Sequence, residues 1–506
     1  MTGRVRAAGG PWLVALALFA AGCGGDEERH EAARQESPSV LLVTLDTTRA
    51  DHLGAYGSAN GATPHLDALA ARGIVFERAY AIVPMTLPAH TAMFTGRLPA
   101  ATGVRWNGDQ RLADSPAELP TLAERFRAEG YATAAFVSAA VLDHAFGLDR
   151  GFEHYDDAVG AGAAAPTNRW KAERPARQTV EHALDWLAAQ PADRPVFLWV
   201  HLFEPHDPYL PPAPFAARFA DEPYSGEIAA ADHALGSLFA SSRFRPEARA
   251  IVSVIGDHGE SLGEHGEATH GILLNEAVLH VPWILAAPDL APRRIAVAVS
   301  QVDLAPTLLA RAGLAPLAQL ADADGSDIFA LDHAAGGGRA RTLYAESLYA
   351  RALYGWAGLY STRRGDYKWV SGIRGELYDF VGDPGETSDL RAAQPATAGA
   401  LNRALVEIRG REKPGGGSAA AVDAALAASL QSLGYLAGGA AGPQSAATED
   451  PRDRIALHER LRAVDAQWRR GDFRGAEQAV AELFAADPRN HLLREVVERQ
   501  VLAFAA

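Results

Sequence analysis

Apolar residues, with Thr44 among them, run from Val40 to Leu45 and stop at Asp46, the pattern of a short strand covered on both faces. The same pattern returns from Val196 to Leu202 and from Ile251 to Ile255, and a strand-like run covers Thr133 to Ser138. Helical periodicity separates them. It covers Thr63 to Arg72, with Pro64 near its start and Gly73 at its end, and Pro88 to Phe94, closed by Gly96. It continues over Leu119 to Glu129 before Gly130, Gln178 to Ala189, and Gly226 to Phe239. Strands alternating with helices predict an α/β domain with a mostly parallel sheet and helices on both faces. In such sheets ligands sit beyond the carboxyl ends of the strands. Three of those ends carry polar residues: Asp46, then Glu204 and His206, then Asp257 and His258. Residues far apart in the chain are thereby predicted to meet at one edge.

Past residue 340 the rhythm shortens. Thr342 to Glu346, Gly358 to Thr362, Tyr367 to Val370 and Glu376 to Phe380 read as brief strands between Gly and charged turns, a small antiparallel subdomain. Gly415 to Ser418 and Gly438 to Thr448 read as flexible breaks. Pro451 to Ala506 is strongly helical, and Ala466, Gly471, Ala476, Phe484 and Asp487-Pro488 resemble one tetratricopeptide-type helix pair. A lone pair rarely folds unaided, so it is expected to pack on the catalytic domain or to begin an array, and it offers a surface for a protein partner. The chain therefore divides into a leader (1–22), a tether (23–38), a catalytic domain (39–340), the antiparallel subdomain (341–437), a linker (438–450) and the helical segment (451–506).

The leader rests on Arg4 and Arg6, an apolar run from Pro11 to Ala21, and Gly22-Cys23-Gly24-Gly25. The run is too short to span a bilayer. It resembles a bacterial lipoprotein signal, which implies export and lipidation of Cys23 as a membrane anchor in the cell envelope; an ordinary secretory signal is the alternative. Cys23 is the only cysteine, so no intramolecular disulfide forms. The net charge of −15 argues against a nucleic-acid binder.

Three segments carry the chemistry. They are Leu42-Val43-Thr44-Leu45-Asp46-Thr47-Thr48-Arg49-Ala50-Asp51-His52-Leu53-Gly54, Thr86-Leu87-Pro88-Ala89-His90-Thr91-Ala92-Met93-Phe94-Thr95-Gly96-Arg97, and Gly256-Asp257-His258-Gly259-Glu260. In this order and spacing they resemble the sulfatase family of the alkaline phosphatase superfamily. The resemblance runs from Val40 to Leu436 and takes in Glu376 to Pro384 and Ser432-Leu433-Gly434-Tyr435. It implies an alkaline-phosphatase-like fold and a metal-dependent hydrolase or transferase acting on an anionic ester, be it a glycan, a lipid headgroup or a small molecule.

Asp46 and Asp257 offer hard anionic oxygens, and His258 a nitrogen, to one divalent cation. Zinc or manganese suits that mixture better than calcium, which prefers all-oxygen shells; calcium or magnesium and a second ion stay open. Calcium-binding members of the family pair two aspartates at the first motif, and many have Asn where His258 stands; here the second position is Thr47. Thr86 occupies the family's nucleophile position and its oxygen is also a ligand of the metal. Sulfatases place there a cysteine or serine that is oxidised to formylglycine, and threonine cannot become that aldehyde. Thr86 must then attack as a hydroxyl activated by the metal, with N–H groups at the start of its helix facing the anion. Threonine nucleophiles resemble those of the superfamily's nucleotide pyrophosphatase/phosphodiesterases, in which an Asn about twenty residues on touches phosphate; Asn107 has that separation. His206 matches a family histidine that faces the ester oxygens and binds the anion or protonates the leaving group. His270 stands where sulfatases place a lysine and is expected to bind substrate in its stead if protonated. His90 replaces the arginine of the formylglycine motif, and Phe136-Val137-Ser138 stands where many sulfatases carry a lysine-containing segment.

These departures favour phosphate or phosphonate esters, with sulfate esters as the alternative. A second class of reading is a non-catalytic surface protein whose fold binds an anion and whose helical tail recruits a partner.

Overall fold

A computed structural model describes residues 37–114, 119–159, 173–315, 324–334, 341–411, 418–422, 426, 449–469 and 471–486. Cys23 with the whole leader, nearly all of the tether, Ser432 to Tyr435, residues 438–448 of the linker and Asp487-Pro488 lie outside them. Among the described residues no helix is long and apolar enough to cross a membrane.

The strands of the main sheet are β1 (Ser39–Leu45), β2 (Ile74–Phe76), β3 (Ala132–Phe136), β4 (His154–Asp156), β5 (Val196–Leu202), β6 (Ala250–Gly256), β7 (Trp283–Ala286) and β8 (Arg293–Ile295). Their order is β8-β2-β7-β6-β1-β5-β3-β4. Every neighbouring pair is parallel except those made by β7, which runs against both β2 and β6. The period-two alternation of a strand divides the apolar runs between two cores. Val40 and Leu42 of β1 enter one cluster, and Leu41, Val43 and Leu45 the other. Burial on both faces is why the sequence shows no polar alternation here.

Helices α1 (Pro64–Ala71), α2 (Thr86–Thr95), α3 (Leu122–Ala128), α4 (Ala176–Ala188) and α5 (Pro223–Phe239) cover the sheet. α2 and α3 pack on the first cluster, and α1, α4 and α5 on the second. α3 starts later than the periodicity predicts, because Thr121 and Glu124 close a capping box in front of Leu122. α2 starts two residues earlier than predicted, placing Pro88 third in the helix, where a missing N–H does no harm.

The predicted antiparallel sheet is present as β9 (Leu343–Ser347), β10 (Leu359–Arg364), β11 (Tyr367–Ser371) and β12 (Gly375–Asp379), paired in sequence order. Between β9 and β10 lies α6 (Tyr349–Tyr354), and after β12 comes α7 (Pro395–Gly410). α7 buries Ala398, Leu401 and Leu405 at helical spacing and escaped the sequence reading. The tail forms a helix pair, α8 (Pro451–Arg469) and α9 (Phe473–Ala486), joined through Gly471 at φ 79°. α8 rests on the rest of the chain. His458 Nδ1 and the Tyr354 hydroxyl share a hydrogen bond of 2.7 Å, and Asp450, one residue before the helix, accepts from Ile373 N at 3.0 Å.

Candidate active site

The site begins where the central ladder ends. Asp46 N donates to Leu202 O and Asp257 N donates to Leu45 O, both at 3.0 Å. The sheet thus fixes the backbone of both aspartates one residue past their strands. Thr47 N and His258 N donate to Asp257 Oδ1 at 3.2 and 2.6 Å. Thr47 stands at φ 46°, in the left-handed region, a conformation that costs a β-branched residue about 1–3 kcal/mol. The Tyr224 hydroxyl holds it there by donating to Thr47 O at 2.7 Å. The strain turns the Thr47 N–H onto Asp257.

What remains is a set of buried polar atoms without hydrogen-bond partners: Asp46 Oδ1 and Oδ2, Asp257 Oδ2, His258 Nε2 and Thr86 Oγ. All four residues have no exposed surface. His258 Nδ1 lies 3.0 Å from Gly259 O and must donate to it, so Nε2 carries a lone pair. That lone pair lies 3.6 Å from Asp46 Oδ1 and 3.8 Å from Asp257 Oδ2. Burial pushes the imidazole down to about 3, with His270 adding to it, so no proton on Nε2 relieves the contact. Burial and then the Asp46 charge push Asp257 well above the carboxylate range. Burial also raises Asp46, but the His201 contact and the surrounding imidazoles outweigh it and hold that carboxyl low. Two carboxylates and an imidazole lone pair facing one another are mutually repulsive without a positive charge between them. The ligand atoms of Asp46, Asp257 and His258 lie within 4.8 Å of one another. An imidazole whose other N–H is tied to a carbonyl is the usual form of a metal-bound histidine. The donor set fits a divalent cation.

His90, His201 and Asp257 also cluster within 4.8 Å, but their hydrogen bonds assign them another part. Ser138 N donates to His201 Nδ1 at 3.4 Å, which leaves the hydrogen on Nε2, facing Asp46 Oδ2 at 3.4 Å. His90 Nδ1 donates to Thr86 O at 2.7 Å, and its Nε2 accepts from the Thr44 hydroxyl at 2.9 Å. That hydroxyl in turn accepts from Trp199 Nε1 at 2.9 Å. Neither Nε2 is available to a cation. Instead a chain of hydrogen bonds runs from Trp199 through Thr44 and His90 to the main chain of Thr86. Thr44→Val strips His90 of its donor inside the core and should lower the unfolding free energy by about 1–3 kcal/mol. Urea unfolding measures it, and an unshifted midpoint would show that this chain of bonds does not hold.

Thr86 opens α2. Leu87 N donates to Asn107 Oδ1 at 2.9 Å, and Pro88 has no N–H. The helix start is therefore not the row of free donors expected from the sequence. Anchoring its oxygen leaves Asn107 with an unpartnered, buried Nδ2 beside this turn. His206 Nδ1 donates to Asp207 O at 2.9 Å, and its Nε2 is buried and unpartnered. The ring of His270 lies between those of His258 and His206, at 4.4 and 5.2 Å. His270 Nδ1 meets Glu260 Oε1 at 2.8 Å. Burial pushes His270 down to about 3 and raises Glu260 well above its usual range. Burial thus opposes the protonation on which the cationic role read for His270 from the sequence depends.

Glu204, expected at the site, faces away and accepts from Ala176 N at 2.8 Å at the start of α4. Of the nearby arginines, Arg49 pairs with Asp51 and Glu264, Arg97 with Asp324, and Arg105 with Glu346. The sequence reading missed His201, Thr44 and Glu260. A polar residue in a strand otherwise apolar, as at Thr44 and His201, was the available signal.

Residues 38–314 match the family model described as Sulfatase. The chain is 26% identical over 437 residues to delta 4,5-hexuronate-2-O-sulfatase of Bacteroides thetaiotaomicron, an alignment covering 71% of this chain and 85% of that protein. It is 27% identical over 412 residues to arylsulfatase A of Homo sapiens, covering 71% and 80%. Among solved structures, the phosphonate monoester hydrolase of Agrobacterium radiobacter shares the fold. Its TM-score is 0.60 at 21% identity, covering 74% of this chain and 96% of that one.

Proposed function

The chain belongs to the sulfatase family and is a hydrolase acting on ester bonds, and from that premise we propose that Thr86 is its nucleophile, acting on a phosphate or phosphonate ester beside a divalent cation. The observation that carries the reading is the set of buried, unpartnered atoms on Asp46, Asp257, His258 and Thr86. Zinc or manganese is the cation that two carboxylates and an imidazole favour. When bound, the cation supplies positive charge that favours a deprotonated hydroxyl and offsets charge on the ester oxygens.

The residues divide the remaining work. Asn107 Nδ2–H donates to a nonbridging oxygen of the ester. Starting from a deprotonated Thr86 hydroxyl and a His206 with hydrogen on both ring nitrogens, Thr86 Oγ bonds to phosphorus as the bond to the leaving oxygen breaks, and His206 Nε2 gives that oxygen its proton. In the second half water attacks the phosphoryl-threonine, its proton returns to His206, and Thr86 Oγ leaves. His201 turns its Nε2–H toward Asp46 at 3.4 Å, and Glu260 orients His270 beside the ester.

The preference for phosphorus follows from the nucleophile. Water can attack a phosphoryl-threonine at phosphorus, whereas a sulfuryl group on a plain alcohol lacks the hydrated aldehyde that sheds it in formylglycine enzymes. Sulfate-ester hydrolysis is the second reading, favoured by the activities named for the relatives above. Aryl phosphate, aryl phosphodiester, aryl phosphonate and aryl sulfate, assayed side by side after chelation and metal add-back, decide between them. The phosphorus esters should turn over at least about 10²-fold faster, lose that turnover on chelation, and regain it with zinc or manganese. Faster sulfate turnover would install the second reading, and no turnover of any ester would remove Thr86 chemistry altogether.

A further inference from the structure

We propose that α8 of the C-terminal helix pair is a working wall of the active site, in which Arg462 and Glu459 hold the two loops that carry His206 and His270. The inference rests on the reading above only in taking His206 to face the ester.

The loop after β5 has a firm inner side. The His206 ring stacks on Phe203 with centroids 4.3 Å apart. Glu227 of α5 accepts from His206 N at 3.2 Å and from Leu210 N at 2.6 Å. The orientation of the ring depends on something else. Its Nδ1–H is directed by the carbonyl of Asp207, so Nε2 points wherever the Asp207 peptide sets it. The side chain of that same residue is gripped from outside: Arg462 Nη2 donates to Asp207 Oδ2 at 2.9 Å. Arg462 Nη1 lies 3.3 Å from Glu459 Oε2, one turn earlier on α8. The other oxygen of Glu459 accepts from Ala268 N at 2.9 Å, two residues before His270. One turn of α8 therefore ties both loops, at the point where the His206 and His270 rings meet at 5.2 Å. The helix has its own footing, since His458 is hydrogen-bonded to Tyr354 of α6.

Magnitudes separate a positional role from a stabilising one. Arg462 and Asp207 are 30% and 39% exposed in their side chains, and ion pairs of that kind contribute about 0–1 kcal/mol to stability. Loosening a proton donor by about 1 Å lowers a rate by up to about 10²-fold. The pair matters far more to the aim of His206 than to folding. Arg462 is a positioning residue, and the tail is engaged on this face by the catalytic domain itself.

The test uses the full chain. In Arg462→Met, backbone amides of residues 203–212 and 264–272 should exchange about tenfold faster, with amides of the main sheet within twofold of wild type. Asp207→Asn should reproduce the effect on 203–212. Turnover of aryl phosphate or aryl sulfate, whichever wild type cleaves, should fall about tenfold in kcat with KM within twofold, a fraction of what a general acid supplies. The same substitution in a His206→Ala background should have no further effect, and Arg462→Lys should recover part of the loss. Unchanged exchange in Arg462→Met, or an equal loss of kcat in both backgrounds, overturns the proposal. If wild type cleaves no ester, the functional reading fails while the exchange measurement still decides this one.

Discussion

Thr86→Ala should abolish turnover, by at least about 10³-fold, in a protein that folds as wild type does and still takes up metal through Asp46, Asp257 and His258. Thr86 Oγ is buried and makes no hydrogen bond, so alanine strands no partner. The lost methyl costs about 1 kcal/mol, too little to unfold the domain. A structural threonine in that position would give little change in rate. A nucleophile would leave only what the remaining residues do for direct attack by water. Thr86→Ser keeps a hydroxyl and should retain measurable activity. Steady-state kinetics beside metal analysis and a thermal melt make the comparison; a Thr86→Ala rate within tenfold of wild type would remove Thr86 from the chemistry.

The second large effect lies at His258. His258→Ala should weaken the metal by more than about 100-fold, because it removes a direct ligand where even an outer partner of a ligand is worth 10–100-fold. His201→Ala supplies the contrast. It is as buried as His258 and as close to Asp46, but its Nε2 carries hydrogen and offers a cation no lone pair. It should leave the metal in place while disturbing the orientation of Asp46. Chelator competition on both variants reads the difference. Equal losses would mean that the two imidazoles share the cation and that the proton positions assigned above are wrong.

The contrast also shows what a sequence can hold. β1, β5 and β6 were legible because strands buried on both faces admit no polar alternation, and the turns after them were legible because polar residues interrupt those runs at Asp46 and Asp257. Local pattern does not say where a side chain points once the chain leaves a regular element. Glu204 looked like a site residue and instead accepts from the first turn of α4. Thr44 and His201 sit opposite each other in neighbouring strands, yet the roles of their hydrogens follow from Trp199, Ser138 and His90, none of them adjacent in sequence. Arg462 is further still, on a helix whose pattern resembled a docking module. Its partner Asp207 is 255 positions away, and no periodicity reports a contact at that range.

All ten residues of α2 are buried, so the element that begins with Thr86 has no solvent-facing side. A change at any of its positions, as at Thr86 or His90, has to be absorbed by packed neighbours. The loop after β5 and the tail that grips it carry exposed charges that can change at little expense to folding. Divergence toward new esters in this lineage would therefore be written more readily at the rim than in α2.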